Sequence, residues 1–179
     1  MELAEKKFRD TPVGHKKYHK RLIYYINLLI SKGRVIEAKH YFSILEYLKP
    51  SHHSVMRIGY FISISLFDKV GVEKYDRLFV MSKTNEVEIF YFRLMYYLSV
   101  NNLKNCEDCS VFILSKKFNQ KQLDIIMQAC FNLNSYVIAR AITVLIRKKK
   151  VFLNEQGIHR LKRVLLQHLA NKIMETKNA

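Results

Sequence analysis

Glycine and proline are too scarce to turn this chain often: there are 5 and 2 of them in 179 residues. A sandwich or barrel reverses direction every ~8–12 residues and leans on turn-forming residues to do so. Helices joined by short connections need few, so the sequence predicts an all-α protein. Apolar residues make up 49% of the chain, enough for a packed core and too many for disorder. The length fits one domain.

The helical period starts after a Thr11-Pro12-Val13-Gly14 turn signal, which leaves residues 1–14 as a loose arm. Tyr18, Leu22, Tyr25, Ile26 and Leu29 recur at three- and four-residue spacing and define one apolar face. Gly33 supplies a stop, a second helix runs from about Val35 to Leu48, and Pro50 closes it. A comparable hairpin is expected at residues 120–151, with its turn at Asn134-Ser135. Between them, Val55–Phe67 with Tyr75–Met81, and Val87–Val100 with Cys106–Phe118, form more degenerate pairs. A final helix, about 154–174, begins at the N-cap Asn154 and carries the stripe Ile158, Leu161, Leu165, Leu169 and Ile173. It is expected to cap the open end of the array.

Residues His19–His52 resemble one tetratricopeptide repeat, a unit of about 34 residues. Leu22, Tyr25 and Leu29 fall where the first helix packs and Gly33 at the turn. Ala38 marks the close crossing of the helices, Phe42 the next layer, and Pro50 the end. Ile26 departs from the family's small residue. The resemblance implies a short right-handed α-solenoid of about seven to nine helices over residues 15–179, acting as a scaffold for partner proteins. The phrase GRVIEAKHYFSIL also resembles the second helix of a pentatricopeptide repeat, a family that reads RNA. Its base-reading position falls on Tyr24. A peptide-clamping groove of the tetratricopeptide kind is not expected, since Ile23, Asp124 and Gln128 stand where cations or Asn would be wanted.

The charge is +16 and uneven: +6 over residues 1–90 and +10 over 91–179. From Arg140 to Lys172 there are nine cations and one acid, Glu155. Such density favours polyanionic partners. Two clusters are candidates for phosphate contact. One is Lys16, Lys17, Lys20 and Arg21; the other joins Arg147, Lys148, Lys149 and Lys150 to Arg160, Lys162 and Arg163. Either also fits an import signal or a solvated helix end. A non-enzymatic scaffold of a nucleic-acid-handling assembly, such as a transcription initiation complex, is the leading expectation. Direct RNA binding in ribosome assembly or translation is the alternative.

Catalytic and cofactor motifs are missing. No Gly-rich phosphate loop or nucleophile elbow occurs, and Glu86 and Glu88 read as the acidic first turn of a helix. Cys106 and Cys109 have the spacing of a zinc pair without a second pair to complete four ligands. No metal, cofactor or small-molecule substrate is therefore expected. Three cysteines form no disulfide framework, and the first residues lack the apolar run of a signal peptide. No stretch is long and apolar enough for a membrane span. These features point to an intracellular setting, the nucleus ahead of the cytoplasm.

Overall fold

The computed structural model describes residues 2–177, and every regular element among them is helical. In order they are α1 (Glu2–Arg9), α2 (Tyr18–Ser31), α3 (Val35–Leu48), α4 (His53–Ser65) and α5 (Lys69–Met81), followed by α6 (Glu86–Ser99), α7 (Leu103–Ser115), α8 (Gln120–Asn132), α9 (Tyr136–Arg147) and α10 (Glu155–Lys177). Helices α2 to α9 pack as four sequential hairpins. The chain divides into two compact units, Met1–Thr84 and Asn85–Ala179, where a single repeat domain was expected over 15–179.

Nine of the ten described helices, α2 to α10, lie within residues 15–179, inside the expected seven to nine; the tenth, α1, falls in the stretch expected to be a loose arm. One anchor holds it. Phe8 is buried, stacked on Tyr25 with ring centres 5.3 Å apart and edge-on to Tyr41 at 5.6 Å. The end of α1 is fastened as well: Thr11 Oγ1 donates to the Lys7 carbonyl, and the Arg21 guanidinium donates to both. A lone buried ring has no period, so no helical face was readable there.

The four hairpins share a turn that the residue types conceal. Gly33, Phe67, Asn101 and Asn134 all have positive φ, and they are spaced 34, 34 and 33 residues apart. Each ends the first helix of its hairpin in a left-handed residue, and the next residue's N–H returns to a carbonyl five positions back, as from Arg34 to Leu29 and from Asp68 to Ser63. That next residue is also the N-cap of the second helix. Asp68, Asn102 and Ser135 accept from the N–H three residues on; Arg34 alone does not. Counting five residues from the left-handed position reaches Ala38, Val72, Cys106 and Ala139, all buried and all compact. Seven further on stand Leu45, Phe79, Ile113 and Ile146; the first three are wholly buried and Ile146 is half-buried. A compact residue lets two helices approach, and a large one two turns later fills the widening seam. Helical repetition thus extends through the middle of the chain.

Inside the first unit, Leu22, Tyr25, Leu29, Ala38 and Phe42 are buried as the hairpin reading requires, and Pro50 lies exposed in the connection after α3. Gly59, in the middle of α4, has the Tyr75 ring lying on it; a Cβ there would stand 2.2 Å from Tyr75 Cζ. The Tyr75 hydroxyl donates to Glu46 Oε1 at 2.5 Å, and Lys74 Nζ reaches the same oxygen at 2.7 Å. Burial alone would raise the Glu46 carboxyl. The hydrogen bonds from Lys74 and Tyr75, with the lysine's charge, outweigh it and hold the group below its usual range.

The second unit has a different filling. Its core is built from Cys106, Cys109, Ile113, Ile126, Cys130 and Ile142, with Leu161 and Val164 contributed by α10. Ser135 ties two of its helices together, accepting from the Ile138 N–H while donating to Glu107 Oε1 at 2.6 Å.

Candidate nucleic-acid interface

At the start of α2 the chain makes a tight turn in which the His15 N–H donates to the Pro12 carbonyl and the Tyr18 N–H to that of His15. Lys17 is the N-cap residue and offers no capping side chain, and the first turn holds no acid. Lys16, Lys17 and Lys20 are exposed there, and among the described residues no ion pair engages them. Cations at the positive end of a helix dipole repel it, and a bound anion relieves the arrangement. Arg21 is a different case. It is half-buried and spent on Thr11 and the Lys7 carbonyl, so it works on the fold of the first unit. On the same exposed face as Lys20 stand Tyr24 and Asn27, four and seven residues on.

The second cluster is divided between the end of α9 and different sides of α10. Arg147 and Lys148–Lys150 are exposed at the C-terminal end of α9, where Lys149 has φ 53° and the Lys150 N–H returns to the Leu145 carbonyl. Positive charge there complements the helix dipole. Arg160, Lys162 and Arg163 belong to α10. At ~100° per residue, Arg160 and Lys162 point to nearly opposite sides of it. The Arg160 guanidinium lies over the Phe131 ring at 4.3 Å, a cation–π contact within the second unit. Lys162 and Arg163 are exposed.

The cysteine pair faces inward. Cys106 takes the compact crossing position of its hairpin, and burial, with Glu107 adding to it, pushes its thiol up to about 11. Burial pushes Cys130 up to about 12. Such thiols are poor ligands and poor nucleophiles at neutral pH. Among the described residues no group of three or more His, Cys, Asp or Glu is arranged to hold a metal ion, and no helix is long and apolar enough to cross a membrane.

The sequence reading missed one feature of α10. In its first half Leu161 and Val164 are buried and His168 stacks on Tyr136 at 3.9 Å, whereas Ile158 of the expected stripe is exposed. From Leu169 through Thr176 every residue is exposed. Leu166, Leu169, Ile173 and Met174 are apolar residues with nothing over them. The signal was present: Leu161, Val164 and His168 share one side of the helix, while Leu166, Leu169 and Ile173 share another, more than 90° away.

These features define a basic, all-α protein of paired helices with a recurrent turn. No protein-family model matches the chain, and neither does any curated protein or solved structure.

Proposed function

We propose that this chain is a non-enzymatic helical-repeat adaptor within an assembly that handles nucleic acid, docking partner proteins while its cations lie toward phosphate. The observation that carries the reading is the set Lys16, Lys17, Lys20, Arg147, Lys148, Lys149 and Lys150. All seven are exposed at helix ends, and among the described residues no ion pair engages them. Lysines of this kind meet phosphate without reading bases. In its basicity and its 19–52 hairpin, the protein resembles the repeat-containing subunit of the RNA polymerase I core initiation factor. That resemblance suggests a nuclear role in transcription initiation.

The test is a salt titration of binding to short labelled RNA and DNA by fluorescence anisotropy. An adaptor is expected to bind both alike, weaker than ~1 μM near ~150 mM salt, with a steep salt slope. Reversing Lys148, Lys149 and Lys150 to Glu should weaken that binding and leave the helical circular dichroism unchanged. Absence of binding even at ~20 mM salt would remove nucleic acid from the proposal.

A second reading is direct recognition of single-stranded RNA, in ribosome assembly or translation. One observation favours it: Tyr24 is exposed between Lys20 and Asn27, an aromatic platform beside a cation and an amide. Submicromolar RNA affinity that falls with Tyr24→Ala would put this reading first.

A further inference from the structure

The C-terminal half of α10 is uncovered in a way its own unit does not explain. Eight consecutive exposed residues, 169–176, extend the helix ~12 Å at 1.5 Å per residue. Two helical turns without tertiary packing are marginal in water. Yet an apolar row runs into this segment. Leu166, Leu169 and Ile173 follow at spacings of three and four, the period of a helix–helix seam, and are 64, 52 and 56% exposed.

The charges around that row are nearly all of one sign. Lys162 continues the row one turn upstream, Arg163 flanks it on one side and Lys172 on the other. Of the two acids on the helix, Glu175 lies on the opposite side from the row and Glu155 is two turns upstream of Lys162. We infer that the row Leu166–Leu169–Ile173 is a docking seam for an amphipathic helix of a partner protein, one whose apolar stripe is bordered by Asp and Glu. A second copy of this chain would bring Arg163 and Lys172 against like charges, which costs specificity and affinity. The row is also only one residue wide for most of its length, which suits a single facing helix. The inference is independent of nucleic-acid binding, since it uses none of the seven lysines and arginines at the helix ends that carry the function above.

The probe is a three-heptad peptide with Leu at its seam positions and Glu at the flanks, paired with a twin carrying Lys at the flanks. Titration calorimetry on the full chain should give saturable one-to-one binding of the Glu peptide. Affinity should fall at least ~10-fold for the Lys twin and for Leu169→Asp/Ile173→Asp. Both substituted side chains are exposed, so the double variant should keep the wild-type melting temperature; Lys162→Glu/Lys172→Glu gives a second, charge-only variant that should reverse the preference between the peptides. Four results would overturn the proposal. The Glu peptide fails to bind the folded chain; the two peptides bind alike; sedimentation shows a dimer that Leu169→Asp dissociates; or anionic phosphatidylserine vesicles bind the row while the peptide does not.

Discussion

Where α4 crosses α5, the Tyr75 ring lies on a glycine; in the α6–α7 hairpin the position of that tyrosine, eight residues past the left-handed turn, holds the thiol of Cys109. The two units repeat one turn and close it by different means. In the first, Gly59 sacrifices helix propensity, about 1 kcal/mol relative to Ala, so that Tyr75 can lie flat and deliver its hydroxyl to Glu46. In the second, Cys109 and Ile142 take that position with side chains that carry no hydroxyl, while Cys106 and Ala139 keep the compact crossing that Ala38 and Val72 make in the first. Large rings are cheap ways to bury area, but their hydroxyls then demand partners. Tyr60 meets that demand by donating to Asp76, and Tyr75 by donating to Glu46, while the buried Tyr25 hydroxyl has no hydrogen-bond partner among the described residues. Small residues avoid the demand and leave less room for change.

The difference can be broken from either side. Gly59→Ala drives a methyl into the Tyr75 ring, and because the nearest atoms belong to a rigid ring held at its far end, we expect a loss of ~3 kcal/mol in urea unfolding. The matching test of the second unit is Cys106→Leu, which overfills the crossing and should cost ~2 kcal/mol, while Cys106→Ala should cost less. A smaller effect isolates the polar tether. Glu46 has a folded-state pKa below its unfolded value, so its contribution is fully present above about pH 4.3 and is lost as pH falls through the folded value. Glu46→Gln should lower stability by ~1 kcal/mol at pH 7, and the gap from wild type should close in acid. Unfolding curves at pH 7, 5 and 3 check the sign. The smallest change sharpens the shared turn. Phe67 holds φ 54° with its side chain exposed, and Phe67→Gly relieves that strain for a gain of ~0.5 kcal/mol, read as a rise in melting temperature.

Much of this was legible in advance, and the reasons for the gaps are physical. The bounds of α3 follow from its apolar period and its flanking Gly33 and Pro50. The middle pairs were also found, though they looked degenerate, because Phe67 and Lys83 occupy left-handed positions where Gly would have announced a turn. The caps Asp68, Asn102 and Ser135 were the better punctuation, since they supply side-chain acceptors whatever residue precedes them. Helix α1 escaped because a single buried ring beside Pro12 has no pattern. Of the candidate site, the lysines were named by charge alone. What charge could not reveal is that Arg21 and Arg160 are engaged within the fold, or that Arg160 and Lys162 diverge. Periodicity found the α10 stripe but merged two faces: Leu161 is buried, whereas Leu169 and Ile173 are open.

The hairpin turn has a consequence for how the chain tolerates changes in length. Three residues separate the helices within each hairpin. One residue inserted between a left-handed turn and the compact residue five places later would rotate the remainder of that helix by ~100°. Ala38, Val72, Cys106 or Ala139 would then leave the crossing, and a bulky neighbour would enter it. Substitutions at the turn can be absorbed, as Gly, Phe and Asn in the same role attest. Insertions and deletions inside the hairpins should be rejected, and the stretch from Lys148 to Asn154, which no helix occupies, is where extra residues fit most readily.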